Sequence, residues 1–516
     1  MIKYKQCLIF LKGSSTMTAF EEIVNPHEIK SGFWHMPKTF YTIFFIEFWE
    51  RFAFYGLQAV AVLFFIQNFG LKEHEATNLF SSFSALLYAL LIIGGYLGDK
   101  VLGFRRTYFL GIIFLMVGYS SFAFVQNVQL LYWSMGMVLV GNIFFKTNAG
   151  NFVQRCFAPN DPRLDSAFTY FYMSINLGSF FSMIIIPFVA AKTSYSFGIG
   201  ICGVGMFIAL LSYFILRKNL IKNDNETGRK AGNKFFTMLV IAAIAVVAAY
   251  ELGLLLKDPA LSKIILFTVV TIVFLIYFVV RSKVNAIEQK GMTIAFLLLA
   301  QSLLFWLMYM QMSTSLTLFA VHNVRTDLFG INIPPEVTQS FNPLYIFLLS
   351  PILANMYTKS EQSGRPISIP SKFAFGLLVC GFAYLVLAGS CYFSDSNGTI
   401  SMIWLFLGYG LYSLGELLVS AIGLSMVSKL IPVRLGGFAQ AIWFVTTAFG
   451  QRLGGMAAGY GTIDSTKATS NFEILHGYQI LFGAIGIVVT IFAIIFIIFV
   501  KKLSKNMHDV ISELSK

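Results

Sequence analysis

Charge is what this chain has least of. Only 12% of its 516 residues are Asp, Glu, Lys or Arg, and 57% are hydrophobic; soluble domains carry roughly 25% charged residues. The shortage excludes a soluble globular protein and leaves no stretch for a separate soluble domain. Acids are scarcer than bases, 24 against 37. The resulting +13 does not point to nucleic acid. With the N-terminus taken as cytoplasmic, most Lys and Arg fall on the cytoplasmic side of the apolar runs, as the positive-inside rule requires. Cysteines are few, and Cys7, Cys156, Cys202, Cys380 and Cys391 lie in or beside apolar segments without metal-ligand spacing. They read as small core residues, with no metal site. The six histidines lie in tails or near the ends of apolar segments, so none is placed to carry a proton through the middle. The sequence has no H-E-x-x-H, no G-x-S-x-G and no phosphate-binding glycine loop. An intramembrane enzyme therefore finds no support, and no cofactor is expected.

Long apolar runs, in contrast, fill the chain. About fourteen have membrane-spanning length, with limits near 39–67, 76–99, 107–125, 129–154, 164–190, 196–216, 235–256, 262–280, 292–321, 341–358, 373–393, 400–428, 435–458 and 474–500. An even number returns the C-terminus to the side of the N-terminus, in agreement with Lys501, Lys502 and Lys505 just after the last run. Residues 1–38 read as a cytoplasmic tail. Their apolar patch Cys7–Leu11 is too short for a signal-peptide core, and Met17 is an alternative start. The polar stretch Arg217 to Lys234 is the clearest linker. The plan is then an all-α polytopic membrane protein: a six-helix bundle over 39–216, a linker with two additional transmembrane helices over 217–291, a second six-helix bundle over 292–500, and a cytoplasmic tail over 501–516. The two middle helices carry no polar cluster and read as lipid-facing additions. Two flanking bundles fit alternating access, with a site near the midplane.

The charges that do stand inside the runs are the candidate site. Glu47, Glu50 and Arg51 fall at i, i+3 and i+4 on one helix face, which Phe54, Tyr55 and Gln58 continue. Each charge costs roughly 2.5 to 3.5 kcal/mol at the centre of a lone membrane helix, so this face requires a polar cavity. Lys146 stands in the middle of its run with no acid within a turn and needs a partner from another helix, Glu47 or Glu50 being the candidates. Glu416 is the sole acid of the 400–428 run, and an isolated membrane carboxylate is functional by default. Asn176 either bridges helices or faces the cavity. Arg452, near the expected outer end of its run, reads as a side chain snorkelling to the interface.

Between the second and third runs stands Gly95-x-Leu97-x-Asp99-x-x-x-Gly103-x-Arg105-Arg106, which resembles the loop signature of the major facilitator superfamily. Four further motifs follow in order: Glu47-x-x-Glu50-Arg51-Phe52, the Gly141 to Asn148 stretch with Lys146, Phe171-Tyr172-x-x-Ile175-Asn176-x-Gly178-Ser179, and Gly415-Glu416-Leu417-x-x-Ser420-x-x-Gly423-Leu424-Ser425. Together they resemble the proton-dependent oligopeptide transporter family, and within it the bacterial dipeptide and tripeptide permeases, over about Phe40 to Val500.

The resemblance implies a major facilitator fold and import of dipeptides and tripeptides with protons across the bacterial cytoplasmic membrane. Both termini would be cytoplasmic and the chain would act as a monomer among membrane lipids. It implies proton-coupling roles for Glu47, Glu50, Arg51 and Lys146, and an amine-binding role for Glu416. Asn176, Asn342 and Tyr88 match peptide-facing positions, Tyr55 and Trp443 match aromatic ones, and Gln58 stands where many members carry a second arginine. That departure leaves the peptide carboxylate to Lys146, helped by Arg51. Phe54 replaces the first tyrosine of a common Tyr-Tyr pair, and Met310-Gln311 replaces a common acid-Gln pair, so the family's salt bridge at that position does not transfer. A drug or other small-solute transporter of the same superfamily is the alternative; it would share the Asp99 loop without requiring Glu47, Lys146 and Glu416 together.

Overall fold

The computed structural model describes residues 32–157, 161, 163–230, 234–328, 330–364, 366–461 and 470–514. The N-terminal patch with Cys7 and Met17 lies outside them. Among the described residues the chain forms fourteen long helices. The first six are α1 (Lys38–Phe69), α2 (Glu73–Leu102), α3 (Phe104–Phe122), α4 (Val128–Arg155), α5 (Leu164–Lys192) and α6 (Tyr195–Lys222). After the linker come α7 (Phe235–Lys257) and α8 (Pro259–Lys283). The last six are α9 (Ala286–Asn323), α10 (Phe341–Gln362), α11 (Ile369–Ser390), α12 (Met402–Leu430), α13 (Gly436–Gly461) and α14 (Asn471–Leu514). Twelve of these are long and apolar enough to cross a membrane. Arg105 and Arg106 dilute α3, and glycines with Gln451 and Arg452 dilute α13.

Local chemistry sets several ends away from the limits the apolar runs predict. Asn285 accepts from Glu288 N–H at 2.9 Å while Glu288 reaches back to Asn285 N–H, a reciprocal cap that starts α9 at Ala286, six residues before 292. Asp258 caps α8 through Ala260 and Leu261 N–H, with Pro259 in the first turn. At the far end, α14 does not stop at 500. It continues unbroken to Leu514, because Met507 and Val510 bury themselves and Ser504 Oγ meets Ser368 Oγ at 2.6 Å. The expected tail 501–516 is therefore mostly a docked helical extension.

Two bundles result, in a major facilitator fold. In the first, α1 lies along α5 and α6, and α3 fits between α4 and α6; in the second, α11 lies along α12 and α14, and α9 along α13. The bundles meet where α2 packs on α13 and α5 on α10. Gly455 permits the first of these approaches, since a Cβ there would stand 2.0 Å from Ser81 Cβ. The added pair stays outside: α7 packs on α4, and α8 on α2 and α13. Their most apolar windows are only 22% and 17% buried, against 72% in α1, so most of their surface is left for lipid.

The linker is more ordered than its composition implies. Arg217–Lys222 completes α6, and Asn225 is buried, donating to Gly98 O at 2.9 Å and accepting from Gly228 N–H at 2.9 Å. Thr227 Oγ1 donates to Asp99 O, and Arg106 to Leu102 O and Gly228 O. A one-turn helix, Glu226–Lys230, is thereby held on the π-helical turn Leu97–Leu102, and Gly103 supplies the φ of 87° that redirects the chain into α3. The ion pair at this turn, Arg105 Nε to Asp224 Oδ2 at 3.8 Å, belongs to Asp224 rather than Asp99. Burial lifts the Asp224 carboxyl above the usual carboxylate range, against the pull of the Arg105 and Asn225 N–H groups. Asn225→Ala orphans two buried backbone groups, and each such group costs about 1–3 kcal/mol. The expected result is a clearly lowered thermal unfolding midpoint of the purified protein, whereas an unchanged midpoint would mean that the linker is not docked in solution.

Candidate binding and coupling site

The three charges of α1 meet on one side of that helix, inside the first bundle. Arg51 Nε lies 2.8 Å from Glu47 Oε1 and 2.6 Å from Glu50 Oε2, with all three side chains buried. One guanidinium is thus shared by two carboxylates and leaves one negative charge over. Neither carboxylate comes within 4 Å of Lys146 Nζ, which has no hydrogen-bond partner among the described residues. Instead, Nζ sits 4.1 Å from the ring centroid of Phe54 and 4.8 Å from that of Tyr88. The acids expected as partners of Lys146 thus act on it at longer range, and two aromatic faces take the direct contact. A desolvated cation over a ring gains about 2 kcal/mol. The departure at Phe54 acquires a physical reading here: with no hydroxyl to offer, it presents its face to the ammonium.

Between the bundles lies a cavity of about 160 Å³. Arg51, Tyr55, Tyr88 and Asn176 line it from the first bundle, and Asn342 and Glu416 from the second. Asn342 Nδ2 donates to Glu416 Oε2 at 2.7 Å and to Ser413 Oγ at 3.0 Å, which orients the carboxylate. Asn176 thus faces the cavity, while its Nδ2 also donates to Tyr172 O. Three expected residues are not on the wall. Lys146 lies away from it, covered by Tyr88; Gln58 is buried with its Nε2 unpartnered; and Trp443 packs where Gly423 leaves room, a Cβ at Gly423 standing only 1.8 Å from the indole. Arg51, not Lys146, is the cation that lines the cavity.

Sequence reasoning missed Tyr172, Trp306 and Tyr309, all of which line it. Tyr172 stood inside a quoted motif. Trp306 and Tyr309 precede Met310 at i−4 and i−1, and in a run so rich in aromatics only the third dimension separates wall from core. Gln311, the neutral residue of the altered pair, donates to Leu307 O and Gly454 O at 3.0 and 2.8 Å and serves packing between α9 and α13.

Contacts across the bundles close the end opposite the start of α1. His322 Nε2 meets Glu73 Oε1 at 2.7 Å, Tyr195 Oη donates to Glu336 Oε1 at 2.7 Å, and Gln339 Nε2 donates to Ala59 O at 3.0 Å. Arg452 corrects its expected role. It is 3% exposed and donates from Nη1 to Asn78 Oδ1 and Ser81 Oγ, both at 2.9 Å, joining α13 to α2 instead of snorkelling. At the other end Tyr172 packs against the apolar cluster of Ile346, Leu353, Leu417 and Leu418. The cavity is smaller than the roughly 300–1,000 Å³ usual for ligand pockets, so a substrate enters only when the bundles part.

A polar cavity between two helical bundles, walled by opposite charges from each, defines a secondary transporter of the alternating-access class. A profile of the POT family matches residues 102–472. Dipeptide and tripeptide permease B of Xenorhabdus bovienii (strain SS-2004) is 38% identical over 479 residues, covering 93% of this chain and 98% of its own length. Dipeptide and tripeptide permease A of Yersinia pestis is 39% identical over 480 residues, 93% of this chain and 95% of its own. A solved bacterial homologue of the human drug peptide transporters PepT1 and PepT2 superposes with a TM-score of 0.80 at 31% identity, over 91% of this chain and 99% of that one. The chain belongs to the POT family.

The contact between His322 and Glu73 generates a direct test. In a background lacking the native cysteines, Glu73→Cys together with His322→Cys should cross-link on oxidation and stop uptake into liposomes, and reduction should restore it. Full uptake by the cross-linked protein would show that this end does not open in the cycle.

Proposed function

We propose that this protein is a proton-coupled symporter that imports dipeptides and tripeptides through the bacterial cytoplasmic membrane, with both termini in the cytoplasm. The observation that carries this reading is the pairing of Arg51 with Glu416 across one small cavity. A dipeptide or tripeptide is a zwitterion whose ends stand no more than roughly 10 Å apart at about 3.5 Å per residue. Glu416, oriented by Asn342, takes the amine, and Arg51 takes the carboxylate. Tyr55, Tyr88, Tyr172 and Trp306 supply a wall that accepts varied side chains. One chain holds all of these groups, so the monomer is the transporting unit.

Coupling follows from charge balance. Glu47, Glu50, Arg51 and Lys146 sum to zero when all are ionised. A peptide carboxylate that draws the guanidinium away leaves two acids less compensated in a low-dielectric interior, where an isolated charge is costly. A proton on Glu47 or Glu50 restores the balance, and Lys146, held without an acid of its own, is the mobile counter-charge when that proton leaves. Moving one charge across 100 mV supplies about 2.3 kcal/mol. A drug or other solute transporter would have no use for an acid and a base on opposing walls of one cavity.

Glu416→Gln should weaken binding of free-amine dipeptides by tenfold or more while changing that of N-acetylated ones far less, as read by competition against a labelled dipeptide. Equal loss for both ligands removes the amine role.

Lys146→Ala leaves Glu47, Glu50 and Arg51 with one uncompensated negative charge, which a permanently bound proton would neutralise. Gradient-driven accumulation in liposomes should fall at least tenfold while counterflow exchange of peptide persists, and Lys146→Arg should rescue poorly because a guanidinium does not release its proton. Accumulation near the level of the unaltered protein would remove Lys146 from coupling.

A further inference from the structure

A second cleft is larger than the cavity between the bundles. It has a volume of about 660 Å³ and opens outward between α8, α9 and α14, at the end of the molecule where α14 carries the C-terminal lysines. Its rim bears three cations, Arg281 from α8, Lys290 from α9 and Lys502 from α14. None has a carboxylate within 4 Å among the described residues. The nearest acid in sequence, Glu288, is already held by both Nη atoms of Arg434 at 2.5 and 2.7 Å. Arg281 is fixed in place by one bond, Nε to Thr293 Oγ1 at 2.9 Å, so its orientation is set by α9. Below the rim the wall turns apolar, with Ile294 and Leu297 on one side and Ile495, Phe496 and Phe499 on the other.

We propose that this cleft is a binding site for an anionic phospholipid of the adjoining leaflet. The argument is one of charge and layering. Three positive charges, one of them fixed, line the cleft from three helices at the level where the spans end, where a headgroup phosphate would sit, and the wall beneath is apolar, where acyl chains would lie. Exposed lysines at such a level attract anionic lipid, and a basic pocket between helices gives that attraction a place. A free phosphate would satisfy the rim but leave the apolar wall unused; a neutral lipid would satisfy the wall but leave the cations unpaired. The site also gives the added pair of helices a consequence. Without α8 the cleft loses one wall and its best-anchored cation.

The test uses the full-length protein in mixed micelles of phosphatidylglycerol and phosphatidylcholine, with bound lipid counted by native mass spectrometry. The unaltered protein should retain phosphatidylglycerol in clear excess over its share of the mixture. Lys290→Gln with Lys502→Gln should reduce that excess at least fivefold, and adding Arg281→Gln should abolish it. A control pair that removes the same charge from exposed positions outside the cleft, Lys222→Gln with Lys359→Gln, should leave it unchanged. Peptide uptake by each variant, compared with the unaltered protein, verifies that it is folded. The proposal is overturned if the control pair loses the excess equally, which would mean diffuse attraction to a basic surface. It is also overturned if millimolar inorganic phosphate displaces the lipid, which would mean a site for a free anion, or if phosphatidylcholine is retained equally well.

Discussion

A charge buried among apolar helices must meet a compensating group inside the protein, because the membrane offers none. That constraint organises the whole molecule. Arg51 lies against both Glu47 and Glu50 through a single nitrogen, so the first helix carries a base of its own that offsets one of its two carboxylate charges. The arrangement is economical but taut. Any new anion that engages Arg51 competes with two carboxylates already there, and a site for a zwitterion becomes, by the same contact, a site that responds to protons.

Lys146 and Glu416, two further intramembrane charges, are handled differently. Lys146 has aromatic faces in place of a directly paired carboxylate, which stabilise a cation without fixing it in direction. Glu416 has an amide, Asn342, which orients one oxygen and leaves the group's charge to be met by whatever enters the cavity. Compensation is thus one charge short within α1, indirect at Lys146 and deferred at Glu416.

Closure at one end rests on directional polar contacts, His322 with Glu73, Tyr195 with Glu336 and Arg452 with Asn78 and Ser81, whereas the other end is held by aliphatic packing around Tyr172. Such contacts are broken and remade as discrete steps, and packed apolar surfaces slide. The difference suits a molecule whose two faces open in turn, and the close approach of α13 to α2 at Gly455 provides a narrow line about which they can do so.

Much of this was legible in the residues. Runs of apolar length mark each helix, because a bilayer admits no unsatisfied backbone and a span therefore needs about twenty consecutive apolar residues. The spacing of Glu47, Glu50 and Arg51 announces their shared face, because 3.6 residues per turn fixes which side chains are neighbours on one helix. What periodicity cannot fix is who stands opposite. The aromatic company of Lys146, the absence of Gln58 and Trp443 from the cavity wall, the presence of Trp306 and Tyr309 on it, and the inward turn of Arg452 all depend on the rotation and approach of separate helices. In a chain that is apolar on nearly every face, the sequence determined the spans and the local grouping of charge. Only the tertiary structure decided the partners, since between helices the deciding quantities are distance and orientation, and neither is written along a single chain.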